Sequence, residues 1–186
     1  TDIVKKPIIY IYPIEKMDVE VKLGNPQYLS CTYPKYKNGW SVTADVDGTL
    51  VDKNTGKNLY ALYWEGKEVP KNINLKEGFW VKGKDTATFL EEKLSLLGLG
   101  DKEAEEFIIY WLPKMEENNY NYIRFETKEE QDKSMPLEIT PKPDNLIRVM
   151  MDWKGLDEKI EVQEQNLETP IREGYTVVEW GGTEIK

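Results

Sequence analysis

Apolar and polar residues alternate along much of the first half of the chain. In "MDVEVKLG", residues 17–24, every second side chain is apolar and most of the residues between them are charged. Successive side chains of a β-strand point to opposite faces of its sheet, so this period predicts strands with one buried and one solvent-facing side. The turn-forming segments "GNP" and "WEGKE" separate such runs, and we expect hairpin-linked strands between residues 7 and 83.

The apolar period changes between residues 85 and 117, where apolar side chains recur every three or four positions. This spacing places them on one side of an α-helix and predicts two amphipathic helices. The first is expected to end at Gly98, because glycine suits the C-terminus of a helix. The second begins at Asp101 and should end or kink at Pro113, near Leu112, because proline cannot donate the helical hydrogen bond.

Strand patterns return between residues 120 and 182, as in "NYIRFE" and "GYTVVEWGG". The charged segment "TKEEQDKSMP", residues 127–136, is expected to be a solvated loop. Strands on both sides of a helical pair predict an α+β fold. We expect a mostly antiparallel sheet built from hairpins, covered on one side by the helices around Leu90 and Phe107. Residues 1–186 should form one domain.

Charge and composition narrow the classes of function. The chain has 25 Lys and Arg against 34 Asp and Glu residues, and the net charge of -9 disfavours binding to nucleic acid or to an anionic membrane. It has no histidine, which removes the Ser-His and Cys-His catalytic pairs and the commonest transition-metal ligand. No apolar run approaches the length of a membrane-spanning helix. The single cysteine, Cys31, has apolar and aromatic neighbours and is expected to be a buried structural thiol.

Six short and unusual sequence motifs follow one another along nearly the whole chain. They are "KPIIYIYP", "LSCTYPKYKNGWSVTADVDGTL", "YWEG", "GFWVKGKDTATFLEEKLSLLGL", "FIIYWLPKME" and "TVVEWGG". In these motifs the chain resembles an uncharacterised bacterial family that is common in Firmicutes. Members often carry an N-terminal export or anchoring segment, so the resemblance implies an extracytoplasmic protein, secreted or membrane-anchored. The first residue, Thr1, is compatible with the removal of such a segment. The resemblance implies no catalytic residue and no cofactor.

The segment "DVDGTL", Asp45 to Leu50, spells the nucleophile motif of the haloacid dehalogenase phosphatases. In that family the first Asp attacks phosphorus, and the second transfers protons beside Mg²⁺. The preceding "NGWSVTADV" alternates, whereas a buried parallel strand would be continuously apolar, and Asp-Gly is a strong hairpin signal. We therefore predict a hairpin turn and keep a Mg-dependent phosphatase as an alternative function. Weak Ca²⁺ or Mg²⁺ binding by the nearby oxygens is compatible with the spacing, but no built metal site is expected.

Six Trp and 11 Tyr against only four Phe make an aromatic profile suited to stacking on sugars or contacting a protein partner. The candidate binding residues are Trp64, Glu65, Glu179 and Trp180, because each Trp adjoins a carboxylate and a glycine near an expected strand end. Two meeting hairpin tips would place both indoles beside one cleft. In the alternative interpretation both Trp are core residues and each Glu faces solvent. Glu65 and Glu179 would also be the carboxylate pair of a glycoside hydrolase, which needs no histidine.

Together these features favour a noncatalytic module outside the cytoplasm whose exposed Trp and Tyr side chains bind a ligand. The expected partner is a glycan or a protein rather than nucleic acid, and no cofactor is expected. A glycoside hydrolase and a Mg-dependent phosphatase are the catalytic alternatives.

Overall fold

The computed structural model describes residues 3–71 and 73–186, and these form the α+β fold that the sequence pattern predicts. The helices are α1 (Thr86–Leu96), α2 (Asp101–Met115) and α3 (Lys128–Ser134). The strands are β1 (Ile3–Tyr12), β2 (Met17–Leu23), β3 (Leu29–Tyr33), β4 (Trp40–Ala44), β5 (Leu50–Asp52), β6 (Asn58–Leu59), β7 (Leu62–Lys67), β8 (Glu77–Lys82), β9 (Tyr120–Phe125), β10 (Leu137–Thr140), β11 (Asn145–Leu156), β12 (Gln163–Glu164) and β13 (Thr176–Glu184). None of the helices in the described ranges is long and apolar enough to cross a membrane.

Within the described residues the strands form two sheets. The large sheet has eight strands in the order β12-β8-β9-β11-β13-β1-β7-β3, and the small sheet has five in the order β10-β2-β4-β5-β6. Neighbouring strands are antiparallel except for β11 beside β13 and β12 beside β8. The small sheet joins β2, β4, β5 and β6 from the first part of the chain with β10 from the later part. The predicted antiparallel, hairpin-rich organisation is therefore confirmed.

The fold has three layers, with α1 and α2 on one face of the large sheet and the small sheet on the other. The core beneath the helices includes Leu90, Phe107 and Trp111. A second core, between the two sheets, includes Val21 and Leu62. The helical pair covers one face of the large sheet, as predicted. The strands expected in a single sheet divide into two sheets instead, and these enclose the second core.

Strand β11 shows how the large sheet contributes to both cores. Its odd-numbered residues from Ile147 to Trp153 belong to the core beneath the helices. The residues between them, including Arg148 and Asp152, point by alternation toward the small sheet and are also buried. This second face of β11 therefore carries charged side chains although it is buried. In a strand with one solvent-facing side, charged side chains would lie on the exposed face.

The helical pair agrees with the predicted one except at its end. Helix α1 stops just before Gly98, whose φ of 98° fits the predicted C-terminal glycine. Helix α2 extends three residues beyond Leu112 and contains Pro113 in its last turn. Proline fits the helical backbone angles there and removes only one hydrogen bond. The buried side chain of Met115 packs in the core beneath the helices, and this packing favours the extra residues.

The charged segment predicted as a solvated loop contains helix α3, so that prediction is wrong. The Glu130 N–H donates to Thr127 Oγ1 at 3.2 Å, and the Thr127 N–H donates to Glu130 Oε1 at 2.8 Å. This reciprocal cap satisfies two donors at the start of the helix. Gln131 is buried, and its Nε2 donates to the Arg148 carbonyl at 2.8 Å. The Thr-x-x-Glu spacing was the sequence signal for this helix.

Gly181 and Gly182 lie within β13, not at the strand end expected from the sequence. A Cβ atom at Gly182 would lie 2.8 Å from the Met151 carbonyl oxygen and 2.8 Å from Trp111 Cζ2. A Cβ atom at Gly181 would lie 3.0 Å from the Pro7 Cα. The two glycines therefore allow neighbouring elements to approach the backbone of β13 closely, and they give it no free tip.

Candidate functional site

The predicted binding residues do not form one cleft. Trp64 lies within β7, is 1% exposed and belongs to the core between the sheets. Trp180 lies within β13, is 2% exposed and belongs to the core beneath the helices. The two indoles thus lie on opposite faces of the large sheet. The interpretation of both as core residues is confirmed, and the arrangement of two exposed indoles beside one cleft is wrong. The accompanying expectation that each Glu faces solvent is also wrong for Glu179, which is fully buried.

Each of these indole N–H groups has a buried acceptor. Trp64 Nε1 donates to Glu179 Oε2 at 2.9 Å, and Trp180 Nε1 donates to the Tyr10 hydroxyl oxygen at 2.8 Å. Glu179 is fully buried and also accepts a hydrogen bond from Arg148 Nε at 2.8 Å. Glu179 therefore links β13 to β7 and β11 inside the sandwich, and Arg148 balances its charge.

Glu65 lies on the opposite face of the large sheet from Glu179. Adjacent residues of a strand point in opposite directions, and Trp64 shares a face with Glu179. Glu65 is partly exposed, and its Oε2 lies 3.7 Å from Lys5 Nζ. A glycoside hydrolase needs its two carboxyl groups on either side of one glycosidic bond. Glu65 and Glu179 do not provide that arrangement.

Asp45 lies at the turn between β4 and β5, in an antiparallel hairpin of the small sheet. Its N–H donates to the Thr49 carbonyl at 2.8 Å, and its carbonyl accepts from the Gly48 N–H at 3.0 Å. Asp47 Oδ1 accepts the Thr49 N–H at 2.8 Å, and this hydrogen bond lowers the pKa of Asp47. The hairpin prediction is confirmed.

Within the described residues no three Asp, Glu or Cys side chains are grouped closely enough to hold a metal ion.

Cys31 is exposed, so the expected burial of its thiol is wrong. It lies on β3, the outermost strand at one edge of the large sheet. A strand at an edge has one neighbouring strand fewer to cover its side chains. The apolar neighbours of Cys31 in the sequence therefore did not indicate burial.

A network of buried charges lies beside β11, on the face of the large sheet that is opposite α1 and α2. The Lys71 ammonium contacts Glu126 and lies 3.1 Å from Asp152 Oδ1, and the three side chains are 7%, 4% and 2% exposed. Burial raises the pKa of Asp152 well above its ordinary value, and the Glu126 charge raises it further against the attraction of Lys71. Burial alone would lower the pKa of Lys71, but the two carboxylates raise it overall. Folding therefore favours the protonated form of Asp152, while the Lys71 ammonium contacts both carboxyl groups.

Arg124 lies beside this network on β9 and donates from Nη2 to Glu130 Oε1 at 2.9 Å. Its Nε and Nη1 atoms are buried without a hydrogen-bond partner in the part of the chain that the structure describes. A pocket of about 450 Å³ opens here, and its other cations are Lys71 and Lys133. Lys133 lies 3.4 Å from Glu129, so each cation of the pocket contacts a carboxylate. The pocket therefore has no excess positive charge with which to attract an anion.

A larger groove, of about 900 Å³, lies between β10 and the start of β11. Its lining includes the apolar side chains Leu137, Ile139, Leu146 and Ile171. Leu146 is 38% exposed and Ile171 is 70% exposed. By alternation along β11, Leu146 points toward the small sheet, as Arg148 does. The groove therefore includes the open end of the space between the two sheets. It also extends past the start of β11 to Ile147 and Pro170, which lie near Gly98 on the helical side of the large sheet.

One wall of the groove is the free edge of β10, which is the outermost strand of the small sheet and pairs with β2. The Gly24 N–H donates to the Pro136 carbonyl at 2.8 Å, just before β10 begins. Bonded residues recur at every second position of an antiparallel pair, so Glu138 directs its backbone groups toward β2. Leu137 and Ile139 direct theirs toward the groove. Among the described residues these groups have no backbone partner.

The other sheet edges are less suited to a further strand. Strands β6 and β12 are only two residues long. Strand β3 has a shift of register, which interrupts the regular spacing of its backbone groups. Strand β10 has four residues in continuous register and open space beside them. It is therefore the edge most able to accept another strand.

Comparison with known proteins adds no relative to this picture. No family model, curated protein or solved structure matches the chain. The similarity to a bacterial family therefore remains a resemblance based on the sequence motifs alone. The properties of the groove are inferred only from the residues that line it.

The groove residues were not among the predicted binding residues. The segment "LEITPKP" predicts a strand, and Pro136 and Pro141 limit it to four residues. A short strand between prolines is typical of a sheet edge, so the sequence does contain a local signal for the edge position of β10. The opposite wall, formed at the start of β11, belongs to the other sheet, and no local pattern links the two.

Proposed function

We propose that this protein is a noncatalytic binding module that holds an extended segment of a partner protein along β10. The observation that carries the proposal is the unpaired edge of β10 beside an apolar groove of about 900 Å³. The bound segment extends the small sheet by one strand, in the manner of peptide recognition by strand addition.

Two kinds of contact favour an extended peptide. Leu137 and Ile139 offer two backbone donors and two acceptors with the spacing of an antiparallel ladder. Alternate side chains of a bound strand point into the groove and cover the exposed apolar surface of Leu146 and Ile171. Of the two expected partner classes, these contacts favour protein over glycan, because a sugar has no matching row of alternating donors and acceptors.

The buried acidic side chains are already engaged by other residues of the protein, and this supports a noncatalytic function. Glu179 is held by Arg148 and Trp64, and Glu126 is held by Lys71. A general acid or a nucleophile must reach its substrate, and the side chains of Glu126 and Glu179 are only 4% and 0% exposed.

The extracytoplasmic location belongs to the same proposal and is supported by the family resemblance alone. Fractionation of the source cells, followed by detection with an antibody, tests it. Protein confined to the cytosolic fraction would remove this part of the proposal without affecting the groove.

The test of the groove is a proline substitution that removes one backbone donor from the edge of β10. Leu137→Pro deletes a groove-facing N–H, and proline is tolerated at the first residue of an edge strand. Leu137→Ala is the matched control, because it also shortens the side chain but keeps the N–H. Fluorescence anisotropy measures binding of labelled peptides of about eight residues in which valine alternates with threonine, lysine or glutamate.

Wild-type protein and the Leu137→Ala variant should bind at least one of these peptides. The Leu137→Pro variant should bind it about tenfold more weakly, since a hydrogen bond is lost and its acceptor in the peptide is left unpaired. Thermal melting checks that both variants fold. Strand addition at β10 is refuted if folded wild-type protein binds none of the peptides, or if the two variants bind equally well.

A further inference from the structure

We infer that the partner segment carries a basic residue opposite Glu138, with an apolar residue on each side of it, and that it comes from another polypeptide and not from a second copy of this chain. The inference rests on the proposed function, because it names the chemistry of the strand held at β10.

Glu138 lies in the middle of β10 and is exposed on the outer face of the small sheet. Its neighbour Ile139 is 8% exposed and belongs to the core between the sheets. When an antiparallel strand bonds to Leu137 and Ile139, the residue opposite Glu138 forms a non-hydrogen-bonded pair with a Cα separation of about 4.5 Å. The two side chains then project side by side from the same face, where opposite charges attract.

Glu138 differs from the neighbouring acids of this outer face. Asp18 is 2.7 Å from Lys53, and Glu20 is 3.5 Å from Lys22. Lys22 is the cross-strand neighbour of Glu138, but its ammonium is directed to Glu20. Among the described residues Glu138 forms no ion pair. A Lys or Arg on the bound strand would supply the missing cation.

The residues on each side of this cation point the other way, into the groove. The apolar side chains on this side of the groove are Ile139, Leu146 and Ile171. Burying a charged side chain against these apolar residues would cost its hydration. The lining also includes Lys128 and Lys142, which disfavour a second basic side chain inside the groove. It includes Asp144 as well, whose Oδ2 accepts the Tyr175 N–H at 2.8 Å. The groove therefore selects the pattern apolar, basic, apolar in an extended segment.

A second copy of the chain does not have this pattern. Two β10 strands that bond through Leu137 and Ile139 place Glu138 directly opposite the same residue of the other copy. Like charges directly opposite each other destabilise a strand pair. Each copy also carries a net charge of -9, which adds a longer-range repulsion. The occupant is therefore a different, locally basic chain.

The experiment compares the valine–lysine and valine–glutamate peptides on wild-type protein and on two charge-reversal variants. Glu138→Lys changes the charge opposite the bound strand. Glu105→Lys makes the same change of net charge on the exposed side of α2, in the layer on the other side of the large sheet. Glu105 therefore controls for the attraction of any basic peptide to an acidic protein.

Wild-type protein and the Glu105→Lys variant should bind the valine–lysine peptide roughly fivefold more tightly than the valine–glutamate peptide. The Glu138→Lys variant should lose or reverse that preference while still binding. Equal affinities on wild-type protein, or an equal loss of preference in both variants, would overturn the inference and leave strand addition standing. A wild-type dimer that Leu137→Pro dissociates, measured by light scattering, would also overturn it. If no peptide binds, the proposed function and this inference fall together.

Discussion

Lys71 contacts two buried carboxylates, and this arrangement makes the stability of the protein depend on them in a non-additive way. Its ammonium needs one negative charge, which Glu126 supplies, while burial and the Glu126 charge raise the pKa of Asp152. In the Glu126→Gln variant, Asp152 can ionise and pair with Lys71 instead. In the Asp152→Asn variant, Glu126 is retained. Each single change therefore leaves the ammonium paired, and only the double variant leaves it buried without a charged partner.

The expected magnitudes follow from this difference. Each single variant alters one buried hydrogen bond and should lower the free energy of unfolding by about 1 kcal/mol. The double variant leaves the Lys71 ammonium without a charged partner, and this side chain is only 7% exposed. An uncompensated buried charge costs roughly 3 to 5 kcal/mol. The coupling between the two changes is then about 1 to 3 kcal/mol. For a chain of this size the double variant should melt roughly 6 to 20 °C lower, against about 2 to 4 °C for each single variant.

The pH dependence gives a second measurement on the same proteins. Because the pKa of Asp152 is raised by folding, the folded protein keeps a proton that the unfolded chain has already released. The free energy of unfolding should therefore fall as the pH rises from the unfolded pKa through the folded pKa of Asp152. The Asp152→Asn variant should lack this slope. Urea unfolding of all four proteins at several pH values measures both effects, and additive losses with unchanged pH profiles would refute the reasoning.

The remaining predictions concern the interior and the hairpin. Gly182→Ala should cost roughly 1 to 3 kcal/mol in urea unfolding, because its Cβ would lie 2.8 Å from the Met151 carbonyl and from Trp111, and wild-type stability would contradict the close packing of β13. Trp64→Ala should cost roughly 3 to 5 kcal/mol, since the indole is 1% exposed, and a melting temperature near that of wild type would show that it is not a core residue. Asp45→Asn should change stability by less than about 0.5 kcal/mol, and magnesium-dependent hydrolysis of small phosphoesters that this variant loses would restore the phosphatase hypothesis.

The sequence predicted those parts of the fold that depend on contacts between neighbours in the chain. The alternation in β2 and the three-to-four-residue period around Leu90 reflect which side chains can share one face of an element, so β2 and α1 were predicted correctly. The Asp-Gly turn at Asp47 was predicted for the same reason. Helix α3 was not predicted although the cap between Thr127 and Glu130 is local, because so many charged residues in a short segment are also typical of a solvated loop.

Only the tertiary structure decided which faces of the strands meet solvent. Alternation separates the two sides of a strand, but it does not show whether the second side is covered by another layer. The large sheet is covered by α1 and α2 on one face. The other face is covered by the small sheet, and beside it by α3 and the segment around Lys71, so the side chains of Trp64, Arg148, Asp152 and Glu179 are all buried and need partners there. The groove arises where this cover stops, at β10 and the start of β11, which come from different sheets. Its position depends on how far one sheet extends over the other, a property set by long-range packing rather than by any short stretch of residues.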